Sequence, residues 1–245
     1  MRPRSVPHDE KKMTEKTLYV VGNRFAEIAD GDAIVSFDDA LERCRSGRID
    51  ASRISLQQGV SERQNQMLQA ALAGNEHVRL VSYFDEYRRC NGELTHKAKP
   101  ENTLISDPQT VADDNSYAGI LMIDDACAEL SDHVTGKHVQ FMVLIEAARQ
   151  MGNAVTQKFH STTEKIYLAE EIRVGFATFV YPFEARIDCR VTRRDLRATG
   201  DGKMALEIGF VQLGKIACQL SLAFTVLDRK FVTSLETNAL KAFVR

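Results

Sequence analysis

Short apolar runs alternate with helical patterns over the first ninety residues of the chain. The runs at 18–22, 53–56 and 77–83 have the length and apolar character of buried strands. Ser36 and Ser61 each begin a stretch of helical spacing, with Asp or Gln three positions later, which is typical of a capping box. The order β-α-β-α-β predicts a small parallel α/β unit, since crossover connections place successive strands side by side.

The second half of the chain has a different pattern. We predict a strand over 118–124 and one long apolar helix over about 139–159, followed by extended stretches at about 165–174, 179–192, 203–212 and 215–228. Asp201-Gly202 and Leu213-Gly214 mark hairpin turns between the last three stretches. We therefore expect an antiparallel sheet wrapped around a central helix. One face of the last strand should pack on that helix through Ile216, Cys218, Leu220, Leu222 and Phe224.

These patterns divide the chain into five segments. Residues 1–16 are polar and charged and are predicted to form a disordered tail, and the small α/β domain covers 17–90. A connection rich in Asn, Lys, Asp and Pro covers 91–116 and leads into a second domain over 117–230. Residues 231–245 form a C-terminal tail.

Composition and charge exclude several classes of function. The 245 residues are 44% hydrophobic, as in an ordinary globular protein, and the net charge of −2 gives no basic surface for nucleic acid. No apolar run approaches the roughly 18 residues of a membrane span, and the N-terminus lacks the apolar middle of a secretory signal. The five cysteines show no CxxC spacing and are predicted to be reduced thiols, so we expect a cytoplasmic protein with no zinc or other metal site.

A glycine at the end of the first strand raises the question of a nucleotide cofactor. Gly22 follows the run at 18–21, but no G-x-G-x-x-G pattern is present. We interpret Gly22 as a turn residue and expect no bound cofactor.

The long helix carries a polar seam on an otherwise apolar surface. At 3.6 residues per turn, one stripe contains Glu146, Arg149, Gln150 and Asn153. Such a helix is predicted to be buried, with the seam facing a cleft, a partner subunit or a ligand. Simple pairing of Glu146 with Arg149 would also fit the spacing, but desolvation makes a buried pair a poor source of stability by itself.

Two histidines come directly before this helix. We expect His133 and His138 to face the same cleft as Glu146. A carboxyl whose pKa is raised by an apolar setting can act as a general base near neutral pH, and a histidine can do so without such help. The seam and the two imidazoles therefore predict an acid–base site.

Several of these segments resemble the A-factor biosynthesis hotdog family over about residues 95–230. The resemblance lies in His96-Lys97, the ENTLIS run at 101–106, the strand AGILMID and the segment DHVTGKHVQFMVLIEAARQ. Family members related to γ-butyrolactone signal synthases have a Pro-Gly-Met step before a Glu-Ala-x-Arg-Gln helix. This chain keeps the helix motif at 146–150 but has Gln140-Phe141-Met142 at the step, so it lacks the glycine whose amide could lie close to a thioester carbonyl.

The resemblance implies an α+β hotdog domain after the small α/β domain. The reaction it implies is transfer of a β-ketoacyl chain from an acyl carrier protein or CoA thioester to a small hydroxylated acceptor, on the way to a butyrolactone-type signal or related secondary metabolite. Candidate catalytic residues are His133, Glu146 and Arg149, and candidate substrate-binding residues are His138, Gln150 and Asn153. Because synthases of this family often carry two hotdog units and this chain shows one, we expect a homodimer.

Two alternatives stay open. The protein could be another hotdog enzyme, a dehydratase or a thioesterase. It could also be a non-catalytic protein that binds or senses acyl thioesters, which the Gln140-Phe141 departure favours. A basic run near a predicted hairpin is either a solvated turn or a landing site for an acidic carrier protein or a phosphate, and contains Arg190, Arg193, Arg194 and Arg197.

Overall fold

The computed structural model describes residues 16–111, 113–130, 136–161 and 164–243, so the predicted tail over 1–16 lies almost wholly outside it. The first part contains a parallel sheet of four strands in the order β2-β1-β3-β4. These strands are β1 (Thr17–Val21), β2 (Ile34–Ser36), β3 (Arg53–Leu56) and β4 (Arg79–Val81). The α/β prediction is confirmed, although β2 was missed because three residues are too few to show a period.

Two helices connect these strands, and their caps explain where they begin. Helix α1 (Phe37–Arg45) starts after Ser36, whose side chain accepts a hydrogen bond from the Asp39 amide at 3.2 Å. Helix α2 (Glu62–Ala71) starts with the predicted capping box. The Ser61 hydroxyl accepts from the Gln64 amide at 3.1 Å, and the Gln64 side chain accepts from the Ser61 amide at 2.8 Å.

The second part is an antiparallel sheet of six strands in the order β5-β6-β8-β9-β10-β7. The strands are β5 (Gln109–Thr110), β6 (Ser116–Ile120), β7 (Lys165–Phe176), β8 (Arg186–Leu196), β9 (Gly202–Gln212) and β10 (Lys215–Asp228). A short helix, α3 (Gly92–Thr95), precedes the sheet, and the long helix α4 (Phe141–Val155) packs on one of its faces. This sheet around a central helix is the predicted hotdog arrangement.

Helix α4 lies close to the sheet because it carries a glycine where it crosses the strands. A Cβ on Gly152 would come within 3.1 Å of the Leu206 side chain on β9. The helix continues as one π-helical turn over Thr156–His160. Val143, Leu144, Ala147 and Met151 of this helix are buried in the main core.

The alternation predicted for the last strand is correct from Cys218 onwards and wrong at its start. Cys218, Leu220, Leu222 and Phe224 are buried, but Ile216 is 52% exposed. The pairing of β10 with β9 shifts between Ile216 and Cys218. A β-bulge at this point turns the preceding side chain to the other face, which the period of two could not reveal.

The ends of several elements also differ from the prediction. The predicted stretch at 179–192 becomes a strand only at Arg186, after a segment that contains Pro182. The described residues of the predicted C-terminal tail, 231–243, belong to helix α5 (Arg229–Phe243). Leu213 and Gly214 both have positive φ, 50° and 73°, in the predicted two-residue turn between β9 and β10.

The two parts are joined through the carboxyl edge of the parallel sheet. The buried Gln58 side chain donates to the Leu121 carbonyl and accepts from the Ile123 amide, both at 2.7 Å. The Asp125 carboxylate accepts from the amides of Asn23 and Arg24. Hotdog residues therefore occupy the edge of the parallel sheet. No helix in the described part of the chain has both the length and the apolar character needed to cross a bilayer.

Candidate functional site

The polar seam of α4 forms a partly buried ion pair. The Arg149 guanidinium donates to both oxygens of Glu146, from Nε to Oε2 at 2.8 Å and from Nη2 to Oε1 at 2.7 Å. The Lys97 ammonium lies 2.8 Å from the same Oε1. Only 17% of the Glu146 side chain is exposed, so this carboxylate is held by two cations inside the protein.

Lys97 extends the network away from the helix. Its ammonium also contacts the Glu129 carboxylate at 2.8 Å, and the Cys127 thiol donates to the other Glu129 oxygen at 3.1 Å. Lys97 therefore holds two carboxylates that would otherwise repel each other. Neither Lys97 nor Glu129 was predicted as a site residue, although His96-Lys97 was among the segments that carry the family resemblance.

These contacts reverse the expected ionisation of Glu146. Burial raises its pKa, but hydrogen bonds from Arg149, Lys97 and Gln150 outweigh that effect and lower the pKa to about 2. Our expectation that an apolar setting raises the pKa of this carboxyl is therefore wrong. Glu146 is ionised at neutral pH and is a weak base, and its carboxylate contacts both Arg149 and Lys97.

The Gln150 amide is fully occupied by protein contacts. Its nitrogen donates to the Asn102 carbonyl at 2.9 Å and to Glu146 at 3.0 Å, and its oxygen accepts from the Leu104 amide at 2.8 Å. The side chain is completely buried. Gln150 thus fixes the segment around Leu104 against α4, where we predicted a contact with substrate.

Asn153, one turn further along, faces a cavity. The cavity has a volume of about 140 Å³ and lies between α4 and the strands β7 and β10. Its walls are mostly apolar and include Tyr167, Ile172, Leu222 and Phe224. The polar members are His96, Arg149, Asn153 and Glu171. Asn153 is 4% exposed, and its side-chain amide has no hydrogen-bond partner among the described residues.

The free hydrogen-bonding groups of Asn153 open into this cavity. Among the described residues, the fully buried side-chain polar atoms without a partner belong to Arg53, Asn65 and Arg89, and not to Asn153. Asn153 can donate two hydrogen bonds and accept others. The arrangement provides a hydrogen-bonding group on the wall of an apolar pocket.

His96 lies on the same cavity and was not among the predicted site residues. It ends α3 in the left-handed conformation, with φ 57°, which is uncommon for a residue other than glycine. Its ring lies 5.3 Å from the ring of Tyr167. Burial and the nearby Arg149 charge lower the pKa of His96, so its imidazole is neutral at pH 7 and can accept a proton.

Of the two predicted histidines, only His138 is described, and it does not line this cavity. His138 precedes α4 and stacks near Phe179, with ring centroids 4.7 Å apart. It lines a separate apolar groove with Phe141, Leu144 and Phe176, whereas Glu146 points towards Lys97. The expectation that His138 shares a cleft with Glu146 is wrong. His133 lies outside the described residues.

The Gln140-Phe141 step has a defined structure at the start of α4. Gln140 is the N-cap but makes no side-chain cap, and its amide nitrogen donates instead to the Glu129 carbonyl. Phe141 is 56% exposed and contacts Phe176 edge to face at 6.5 Å. An aromatic ring thus lies where the family resemblance led us to expect a glycine, at the mouth of the groove that His138 lines.

The basic run near β8 is partly neutralised. Arg193 pairs with Asp195 at 2.5 Å, and Arg194 contacts the His160 ring at 3.1 Å. Arg190 and Arg197 are at the surface. Among the described residues, no group of three His, Cys, Asp or Glu side chains is placed to hold a metal ion.

The sequence matches the model of a known protein family. The model of the A-factor biosynthesis hotdog domain matches residues 84–227, which is more than half of the chain. The chain therefore belongs to the A-factor biosynthesis hotdog family. Among curated proteins, none has a sequence that matches it.

Solved structures with similar chains include two described as thioesterases. A mutant thioesterase from Pseudomonas aeruginosa has 14% identity and a TM-score of 0.42, over 57% of this chain and 96% of that one. A thioesterase from Haemophilus influenzae has 11% identity and a TM-score of 0.39, over 51% and 78%. A conserved protein from Pseudomonas aeruginosa has 19% identity and a TM-score of 0.37, over 49% and 87%.

Proposed function

We propose that the protein binds an acyl thioester in the cavity between α4, β7 and β10 and transfers its acyl group. The observation that carries this proposal is the Asn153 side-chain amide, which has no hydrogen-bond partner among the described residues and faces a largely apolar cavity. An acyl chain fits the side formed by Ile172, Leu222 and Phe224. The thioester carbonyl oxygen then accepts a hydrogen bond from Asn153.

Polar groups around the cavity stabilise the negative charge that develops on the carbonyl oxygen during acyl transfer. When an oxygen nucleophile attacks a thioester carbonyl, the tetrahedral intermediate carries negative charge on oxygen. The Asn153 amide stabilises that charge by donating a hydrogen bond, and the Arg149 guanidinium does so through its field. Glu146 keeps Arg149 in place through two hydrogen bonds.

His96 is the residue placed to move the proton. Its neutral imidazole accepts the proton of the attacking hydroxyl as the new C–O bond forms. It then returns the proton to the thiolate as the C–S bond breaks, giving an ester and a free thiol. This role replaces the one expected for Glu146, whose pKa of about 2 makes it a weak base.

The family supplies the finer proposal for donor and acceptor. The donor is a β-ketoacyl thioester of an acyl carrier protein or CoA. The acceptor is a small hydroxylated molecule on the way to a butyrolactone-type signal or related metabolite. Exposed Arg190 and Arg197 on and beside β8 offer cations for an acidic carrier protein.

Turnover tests the proposal directly. The purified protein is incubated with a β-ketoacyl thioester and dihydroxyacetone phosphate, while thiol release and ester formation are followed separately. We expect ester and thiol in equal amounts. Thiol without ester indicates hydrolysis, an enoyl product indicates dehydration, and tight binding without any product indicates a binding protein; each of these outcomes contradicts transfer.

A matched pair of variants tests the role of Asn153. We expect Asn153→Ala to lower kcat by about 10²–10³-fold, as the loss of one oxyanion donor does elsewhere. Asn65→Ala is the control, because Asn65 is also 4% exposed with an unpartnered amide oxygen but lies in the α/β domain. Equal activity of the two variants would remove Asn153 from the mechanism.

A further inference from the structure

A polar cleft lies between the α/β domain and the hotdog domain, separate from the cavity that contains Asn153. One part of it has a volume of about 670 Å³ and another part about 470 Å³. Both parts are lined by Ser61 and Arg63 at the start of α2 and by Glu101 and Asp124 of the hotdog domain, so they form one interdomain cleft. A volume in this range is typical of a site for a small molecule.

The interdomain cleft lies at the carboxyl edge of the parallel sheet. Gly59 follows strand β3 and forms an isolated bridge with Asp124, and helix α2 begins shortly afterwards. Ligands of open α/β sheets bind in the crevice outside the carboxyl ends of the strands. The α/β domain therefore presents its ligand-binding edge to the cleft, and the hotdog domain forms the opposite wall.

Asp124 places a carboxylate without a cation on the wall of this cleft. The residue is 9% exposed, and one carboxylate oxygen accepts a hydrogen bond from the Ala126 amide at 2.9 Å. The carboxylate makes no ion pair with any described residue. Removing a carboxylate from water in this way costs free energy unless a cation accompanies it. The cleft therefore has a place for a cationic group of a ligand.

Arg89 and Arg63 supply the opposite charge. The Arg89 guanidinium donates from Nη1 to the Thr103 and Met122 carbonyls, and its buried Nη2 has no partner. Neither arginine makes an ion pair within the described part of the chain. Because the Arg89 Nη2 is closed off, Arg89 acts on a ligand through its charge. Arg63 is exposed and lines both parts of the cleft, so it is the arginine that can contact an anionic group.

The opposite charges of Arg89 and Asp124 lie near one another without pairing. Both act on the buried Tyr83 side chain, whose pKa is raised by burial, lowered by the Arg89 charge and raised by the Asp124 charge. No ion pair joins Arg89 to Asp124 in the part of the chain that the structure describes. A cleft that keeps opposite charges apart is complementary to a ligand that carries both signs.

The remaining charges disfavour a ligand that is only an anion. Lys97 lines the cleft, but its ammonium already pairs with Glu129 and Glu146. Glu93 and Glu101 also line the cleft, and neither has an ion-pair partner among the described residues. A free phosphate would therefore meet several carboxylates that no cation neutralises. An ammonium group on the ligand removes that repulsion.

We propose that the interdomain cleft binds a free α-amino acid, with the ligand ammonium at Asp124 and the ligand carboxylate at Arg63. Both contacts are charge-assisted hydrogen bonds, and the guanidinium fork matches the geometry of a carboxylate. The rest of the cleft holds the side chain of the ligand. This second site goes beyond the proposed function and does not depend on it. Because the walls come from both domains, the bound ligand stabilises the folded pair of domains.

A ligand panel tests the proposal on the full chain. Thermal unfolding is followed with each proteinogenic amino acid, and we expect at least one of them to raise the Tm. The N-acetyl derivative of that amino acid lacks the ammonium, and its amide lacks the carboxylate. Calorimetric titration should show each derivative binding about tenfold more weakly or worse. A panel without any rise in Tm would overturn the proposal, and so would a derivative that binds as tightly as the free amino acid.

Two variants change one charge on each wall of the cleft. Asp124→Asn and Arg63→Gln should each weaken binding of the free amino acid by about tenfold or more. Asparagine keeps an oxygen for the Ala126 amide, and the Tm without ligand checks that both variants fold. Arg45→Gln and Glu76→Gln are the controls, because both residues are exposed charges of the α/β domain at the other edge of the parallel sheet.

Combining the variants with the derivatives tests the orientation of the ligand. Asp124→Asn should not weaken binding of the N-acetyl derivative any further, and Arg63→Gln should not weaken binding of the amide any further. A variant that weakened all three ligands equally would overturn the assigned orientation. Unchanged affinity for the free amino acid in both variants would overturn the cleft as the site, because the ligand would then bind elsewhere.

Discussion

Arg149 and Glu146 meet through two parallel hydrogen bonds, 2.8 and 2.7 Å long, on a helix that is otherwise packed into the core. The pair looks like a simple (i, i+3) contact, but Lys97 comes from a distant segment to share the same carboxylate. Because Lys97 also pairs with Glu129, the two cations of this cluster are matched by two carboxylates. Glu146 determines where the Arg149 guanidinium lies, so the site contains a fixed guanidinium beside a hydrogen-bonding amide.

Glu146 should make the free energy of unfolding depend on pH in the acid range. Its folded-state pKa of about 2 lies below the ordinary value of 4.5, so its contribution is present above about pH 4.5 and is lost as the pH falls towards 2. Glu146→Gln should lower the free energy of unfolding at pH 7 by about 1–3 kcal/mol. Urea unfolding at several pH values checks this. Parallel pH curves for variant and parent would contradict it.

His96 should set the acid limit of activity. Because its pKa is lowered from 6.5, the imidazole stays neutral at pH 7, and activity should decline only below about pH 6.5. His96→Asn should lower kcat/KM and abolish this decline. The pH profile of kcat/KM for both proteins is the measurement. If the variant showed the same decline in kcat/KM at low pH, a group other than His96 would be responsible for it.

Gln58 should couple the two domains. Replacing it by Ala removes both hydrogen bonds to Leu121 and Ile123 and leaves two buried backbone groups unsatisfied. We expect a loss of about 2–4 kcal/mol in the free energy of unfolding. Gln66→Ala is the control, since Gln66 is exposed on α2 and should change stability by less than about 0.5 kcal/mol. Similar values for the two variants would mean that Gln58 does not join the domains.

Asp125 should have the opposite effect to Glu146 on how the stability of the protein changes with pH. Burial raises its pKa to about 6 despite hydrogen bonds from the Arg24 and Asn23 amides. Because its pKa is higher in the folded state than the ordinary 3.8, the protein loses stability from this group as the pH rises from about 4 to about 6. Asp125→Asn should remove that loss, worth about 3 kcal/mol by pH 7. Denaturant unfolding at pH 4 and at pH 7 tests this prediction. It would be contradicted if the free energy of unfolding changed with pH by the same amount in the variant and in the parent.

The sequence predicted the features that depend on local pattern. The seam from Glu146 to Asn153 follows from helical spacing, and the capping box at Ser61 follows from two residues three apart. The bulge after Ile216 and the three-residue strand β2 leave no periodic signal. The fold brings Lys97 to Glu146 and Tyr167 to His96 from distant positions, so neither the lowered pKa of Glu146 nor the place of His96 could be read from nearby residues.

Binding of a non-reactive substrate analogue tests the central claim most directly. An acyl-CoA analogue with a methylene group in place of the thioester sulfur keeps the carbonyl oxygen and cannot transfer its acyl group. Calorimetric titration should show Asn153→Ala binding it about tenfold more weakly than the parent, the effect of one lost hydrogen bond, with Asn65→Ala unchanged. Equal affinity in all three proteins would show that the carbonyl does not contact Asn153 and that the cavity is not the acyl site.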